Sequence, residues 1–214
     1  MFTYQYHQPA EYHFSMDSIH LAELVADRLQ TRTDLASLRV LDLCAGCGVI
    51  GMELSWYLRE IKHIDFIEIQ NCYIEHFHKN VTSVNRPELQ LNFHLLNYDE
   101  LQNDIWKNKF DLIVSNPPYF HEGHGMLSPS TFKNRCRFFL DSSFENFILG
   151  IVNSLSSNGQ AYFLLRPLKQ HGKDLLFEIK KLLKEQSATA KIISQIRGTD
   201  VVCIEKKIGV RLDK

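Results

Sequence analysis

The chain has 214 residues, 44% hydrophobic and 11% aromatic, which supports a sizeable core and excludes a disordered polypeptide. A net charge of −1 gives no molecule-wide attraction for nucleic acid, so any such contact has to come from a local patch. Five cysteines, no basic-then-apolar leader in Met1 to His7, and no apolar run near the ~18 residues of a membrane span together predict a soluble protein of the reducing cytoplasm.

Residues 1–16 carry Tyr4, Tyr6, His7, Tyr12, His13 and Phe14 without periodicity and read as an ordered arm. Asp17 or Ser18 can cap a helix whose apolar face is Ile19, Leu21, Leu24, Val25 and Leu29. Arg39 to Leu43 reads as a strand, Cys44 to Gly51 as a small-residue turn opening a helix, and His63 to Ile69 as the next strand. A helix from Asn71 to about Val84 and a strand from Leu89 to Leu96 follow. Phe110 to Ser115 is apolar enough for a central strand. A polar loop of roughly twenty residues then runs from His121 to about Asp141, a length that is usually functional in a compact domain. Phe144 to Leu155 reads as a helix stopped at Asn158-Gly159, Gln160 to Leu165 as a strand, and Pro167 to about Lys184 as a helix. Lys191–Ile196 and Val201–Lys206 form a hairpin around Arg197-Gly-Thr-Asp200. Strands alternating with helices call for a mostly parallel α/β sheet, seven strands in all, covered on both faces, with the last strand antiparallel. No repeat or linker divides residues 1–214, so a single domain is expected, with residues 1–38 as an arm and helix over the cofactor site.

Gly46-Cys-Gly48-Val-Ile-Gly51 follows a strand and opens a helix, the context in which G-x-G-x-x-G signals a nucleotide site. The glycines let backbone approach a ligand, and Glu68, about 20 residues on, stands where an acid accepts ribose hydroxyls. Asp42, just before the turn, repels a pyrophosphate but suits a ligand with an ammonium and a sulfonium. That favours S-adenosylmethionine over a nicotinamide dinucleotide. Cys44, Ala45 and Ile69 complete the expected wall, and Asn97 or Asp99 is placed to meet an adenine amino group, although Asp99 reads equally as a solvated turn residue.

The central strand runs straight into Asn116-Pro117-Pro118-Tyr119. Two prolines lack donors and hold the chain extended, which presents the Asn116 amide, the Pro117 carbonyl and the Tyr119 ring. That set suits a planar amino-bearing group, a nucleobase edge or a carboxamide. Asn116 and Pro117 accept its N–H bonds, and Tyr119, with Phe120, supplies the stacking face, worth roughly 1–3 kcal/mol per base.

Val40-Leu-Asp-Leu-Cys-Ala-Gly-Cys-Gly48 resembles the glycine motif of class I S-adenosylmethionine-dependent methyltransferases, and Asn116-Pro-Pro-Tyr119 the motif of those that methylate planar amino groups. Gln8-Pro9 and Tyr12-His-Phe-Ser-Met-Asp-Ser18 resemble the start of the bacterial tRNA1(Val) adenine-N6 methyltransferase group. The resemblance covers about residues 5–167 and implies a Rossmann-like sheet, S-adenosylmethionine as cofactor, and methylation of the adenosine beside the anticodon of a tRNA. Two departures stand out. Cys44 occupies a position where the class most often has glycine, and Lys133-Asn-Arg-Cys-Arg-Phe-Phe139 keeps the basic residues of that group without its His-Glu pair.

For RNA, the candidates are Pro118, Phe120, Lys133, Arg135 and Arg137, with Arg166, Lys169 and Lys173 beyond the fifth strand; ordinary solvated charge is the competing reading of the basic residues. His121, His124 and Cys136 lack zinc-site spacing, Cys44-Ala-Gly-Cys47 lies within the nucleotide turn, and no metal is expected. Ser115 has no paired base and reads as a strand-end hydroxyl. The rival substrate is a protein glutamine amide, as in release-factor modification, although only about 38 residues precede the first strand. A DNA adenine, or a protein that binds without turnover, are further alternatives.

Overall fold

A computed structural model describes residues 3–120, 126–167 and 174–207. The strands are β1 (Arg39–Leu43), β2 (His63–Glu68), β3 (Gln90–Leu95), β4 (Phe110–Ser115), β5 (Leu155–Leu165), β6 (Ala188–Ile196) and β7 (Thr199–Lys206). They form one sheet in the order β3-β2-β1-β4-β5-β7-β6. All pairings from β3 to β5 are parallel, and β7 is inserted antiparallel between β5 and β6. This is the mostly parallel, Rossmann-like sheet that the strand and helix pattern requires.

Successive residues of the central strands alternate between two apolar layers. Val40, Leu112 and Val114 face α1 (Met16–Leu29), α2 (Val49–Tyr57) and α3 (Tyr73–Val84). Leu41, Leu43, Ile113 and Phe163 face α5 (Phe144–Ser154) and α6 (Leu175–Leu182). Each of these side chains is essentially inaccessible, and full burial of an aliphatic one contributes roughly 1.5–3 kcal/mol. From β1 the chain builds outward to β2 and β3, then returns to place β4 on the other side of β1. The carboxyl ends of β1 and β4 therefore meet at the reversal point of the sheet, where open α/β sheets take their ligands.

Several boundaries differ from the sequence reading. The polar stretch after β4 contains a short helix, α4 (Thr131–Arg137), capped by Ser130 Oγ accepting from Lys133 N at 3.3 Å. β5 starts at Leu155, and Asn158 does not stop a helix but sits in the strand at φ 67°, beside the bulge opposite Phe110 and Leu112. Gly159 is needed there because a Cβ would lie 2.9 Å from the Ser156 carbonyl. α6 begins at Leu175, with Asp174 capping through Phe177 N, and Arg166-Pro167 is not helical. α1 begins one residue after Ser15, which leaves Asp17 and Ser18 inside its first turn instead of capping it. The hairpin turn is Arg197-Gly198, both at positive φ, the geometry a two-residue connection requires. His121, His124, Lys169 and Lys173 lie outside the described residues. Among those described, no helix is long and apolar enough to cross a membrane.

The third glycine of the turn is a packing residue. A Cβ on Gly51 would stand 2.5 Å from the fully buried Phe66 ring. Gly51→Ala is expected to destabilise the fold by about 1–3 kcal/mol, the usual cost of overpacking, read as a lower urea midpoint with an unchanged slope.

Candidate cofactor and methyl-acceptor site

At the β1/β4 junction lies a cavity of about 280 Å³. Cys44, Ala45, Gly46, Glu68 and Ile69 form one wall, and Asn116, Pro117, Pro118 and Tyr119 form another. The two motifs, some seventy residues apart, are thus walls of one space.

The turn after β1 is bent by Cys44, Gly46 and Gly48, at φ 57°, 55° and 87°. The left-handed Cys44 explains why glycine is the easier residue at that position. Ala45 N donates to the Ile67 carbonyl at 3.0 Å, which fixes the turn to β2. Glu68 is almost inaccessible, and its carboxylate accepts from Gly46 N, Ile69 N and Gln70 N, each at 2.9 Å. Burial pushes its pKa up in spite of these three donors. Each carboxylate oxygen has more than one lone-pair site, so these three bonds do not exhaust its capacity to accept.

Asn116 faces the same space. Its Nδ2 donates to Ser18 Oγ at 3.0 Å and its Oδ1 accepts from the Tyr119 hydroxyl at 2.5 Å. Burial, and next the charge of Asp17, hold the Tyr119 phenol well above its usual pKa, so it remains a donor. Ser115 Oγ donates to the Leu43 carbonyl at 2.6 Å, a strand-end hydroxyl as its isolation from any base suggests. The stretch after Asn116 is laced to the end of α4. Tyr119 N and Phe120 N both donate to the Arg137 carbonyl, at 3.0 and 2.9 Å, and Phe139 N donates to the Phe120 carbonyl at 2.9 Å.

Other expected residues lie outside the wall. Asp42 is fully buried behind the turn, where Oδ2 accepts from Gly51 N at 2.8 Å. It fastens α2 to β1 and does not reach the cavity. Gly48 is the N-cap residue of α2 and leaves room for Met52 and Phe77. Asn97 caps a 3-10 turn by accepting from Asp99 N at 3.2 Å, and its Nδ2 is used on the Asp141 carbonyl at 3.0 Å. Asp99 accepts from Ser142 Oγ. The wall near them is made by Leu96, Tyr98 and Asp141 instead. Of the basic candidates, Arg135 lines the cavity and pairs with Asp141 at 2.8 Å. Lys133 and Arg137 do not line it, and Arg137 lies 5.7 Å from the Phe120 ring centre. Phe120 is also outside the wall and packs on Phe138 at 5.4 Å.

The sequence reading expected residues 1–38 over the cofactor site but named none of their side chains as part of it. Gln8, Tyr12, Asp17 and Ser18 line the cavity. The arm is anchored by Asn80, which accepts from His7 N at 2.7 Å and donates to the carbonyls of His7 and Cys47 at 3.0 Å each. The polar-aromatic composition of the arm was a signal that it packs on something, but it did not tell which of its side chains reach the cavity.

A family model described as the methyltransferase small domain matches residues 12–137, more than half of the chain. The chain belongs to that family. Its cofactor is S-adenosylmethionine, and the residues fit it. A turn stripped of side chain at Gly46 faces Glu68, and the cavity continues to Asn116. A tRNA1(Val) (adenine(37)-N6)-methyltransferase of Bacteroides fragilis is 30% identical over 127 residues, 58% of this chain and 50% of that protein. A release factor glutamine methyltransferase of Clostridium botulinum is 38% identical over 88 residues, 39% of this chain and 29% of that protein. The matches thus span half or less of these relatives' own lengths. A solved ribosomal protein L11 methylase from Lactobacillus delbrueckii subsp. bulgaricus shares the fold with a TM-score of 0.60 at 16% identity, covering 91% of this chain and 81% of that one.

Glu68→Gln would set an amide N–H against backbone donors and remove the charge. It is expected to weaken S-adenosylmethionine binding 10- to 100-fold, about 1.5–3 kcal/mol for charged hydrogen bonds, measured by calorimetry. Because the free carboxyl has a raised pKa and the carboxylate is the better acceptor for hydroxyls, wild-type affinity should fall as pH drops through that raised value. The variant should lose this dependence.

Proposed function

We propose that the chain transfers a methyl group from S-adenosylmethionine to the exocyclic N6 amine of an adenine in tRNA, the adenosine beside the anticodon being the favoured position. The observation that carries the amine acceptor is Asn116, whose amide stands in the cofactor cavity at the end of β4, clamped by Ser18 and followed by Pro117.

An aromatic amine is a poor nucleophile because its lone pair is delocalised into the ring. Asn116 Oδ1 and the Pro117 carbonyl would accept its two N–H bonds, which favours a pyramidal nitrogen whose lone pair points into the cavity. The bound cofactor supplies an electrophilic methyl group on a good leaving group. The chain's part is therefore alignment, and no strong general base is required. The Tyr119 hydroxyl now occupies Asn116 Oδ1, so an incoming amine replaces the phenol as donor. Its ring, packed against the core but partly accessible, offers the stacking face for an extruded base.

A nucleic acid is favoured over a protein amide by two observations. The tRNA-modifying relative aligns over 127 residues against 88 for the release-factor enzyme. Two guanidinium groups, Arg137 and Arg166, each lie 5.7 Å from the Phe120 ring centre, directly after the motif. A release-factor glutamine remains the second reading, because the same Asn-Pro-Pro-Tyr set would bind a carboxamide.

With methyl-labelled cofactor and separate samples of bulk tRNA, rRNA, DNA and a release factor, label is expected in tRNA. Asn116→Ala should reduce the rate about 100- to 1000-fold, the cost of losing one preorganised polar contact. Label confined to the release factor would overturn the substrate, and label in none of them the activity.

A further inference from the structure

A net charge of −1 gives the molecule no general attraction for a polyanion, so the state of each arginine near the cavity matters. Arg135 and Arg197 are neutralised there. The first pairs with Asp141 at 2.8 Å, and the second, on the β6–β7 turn, stands 3.5 Å from Asp17. Arg137 and Arg166 differ, with no carboxylate in ion-pair range among the described residues. They come from separate parts of the chain, the last residue of α4 and the first residue after β5. Both converge on one ring, each guanidinium carbon lying 5.7 Å from the Phe120 ring centre. Arg166 is exposed and lines the cavity, and Arg137 is partly exposed just beyond it.

Two like charges held beside one ring repel each other, and the aromatic face offsets only part of that cost. An anion within reach of both removes it. A guanidinium fork fits two oxygens of a phosphate at once. Phe120 directly follows Tyr119, the ring proposed to stack on the acceptor base, so the backbone of a nucleotide whose base enters the cavity would pass close by. We propose that Arg137 and Arg166 together bind a backbone phosphate beside the acceptor nucleotide, with Phe120 as the ring against which both are held. The assignment deepens the nucleic-acid reading of the substrate and rests on it. A release-factor glutamine carries no phosphate and would leave both groups unpaired.

The test follows the rate of label transfer from the cofactor to bulk tRNA between about 50 and 200 mM salt, where log kcat/KM falls against log salt by nearly one unit of slope per phosphate held. Arg137→Gln and Arg166→Gln are each expected to raise KM about 10-fold, to leave kcat within about 2-fold, and to lower that slope by about 1. Arg197→Gln, whose guanidinium is already paired, should leave KM and slope unchanged. S-adenosylhomocysteine affinity should stay within about 2-fold in all three variants, which also certifies that they are folded. An unchanged slope in Arg137→Gln and Arg166→Gln would overturn the phosphate site alone. Weaker S-adenosylhomocysteine binding by Arg166→Gln would overturn it by placing that guanidinium on the cofactor's carboxylate. An equal loss of slope in Arg197→Gln would replace the site with a diffuse charged surface. A wild-type chain that labels the release factor and no tRNA would fail at the earlier step, the substrate itself, and would contradict the phosphate site with it.

Discussion

The hydrogen bond from Ser115 Oγ to the Leu43 carbonyl, 2.6 Å long and fully buried, ties together the ends of the two strands that frame the cavity. Parallel pairing of Val40 to Leu43 with Leu112 to Ser115 sets the register. The hydroxyl then satisfies a carbonyl at the point where β1 leaves the ladder. A bond of this kind is worth only about 0.5–1.5 kcal/mol net, but leaving the buried carbonyl unpaired would cost about 1–3. Its larger effect is positional. It fixes the glycine turn and the Asn116 segment relative to each other, the relation on which the proposed alignment of donor and acceptor depends.

Around this fixed junction the remaining walls come from short, local pieces. The arm is held by one buried amide, Asn80, which grips the His7 backbone and the glycine turn together. α4 is anchored at its far end to Tyr119 and Phe120 through the Arg137 carbonyl, and Phe132 on the same helix meets Tyr73 and Tyr12. The arm meets α4 again where Ser130 Oγ donates to Glu11 at 2.9 Å. The two walls of the cavity thus share their supports.

Much of this was legible in the sequence because the signals are local. Apolar runs separated by helical patterns give the sheet, and a glycine turn between strand and helix gives the nucleotide wall. Two prolines give a stiff rim. What was not legible depends on long-range contact. Ser18 meets Asn116 from 98 residues away, and nothing in its surroundings announces this. Asp42 satisfied a chemical argument about charge, but its side chain turns to Gly51 N and behind the wall. Asn97 is correctly placed after β3, yet the 3-10 turn that it caps consumes its oxygen. α4 was hidden because seven residues carrying Lys133, Arg135 and Arg137 look like a basic loop, and only Phe132 and Cys136, one turn apart, betray a packed face.

The central claim is spatial, that the turn at Gly46 and the amide of Asn116 face one cofactor. A crystal structure with S-adenosylhomocysteine tests it most directly. The account predicts density spanning the cavity from Glu68, with both ribose hydroxyls at its carboxylate, to the vicinity of Asn116, with the thioether sulfur facing that amide. Density elsewhere on the molecule, or an Asn116 side chain turned away from the bound ligand, would contradict it.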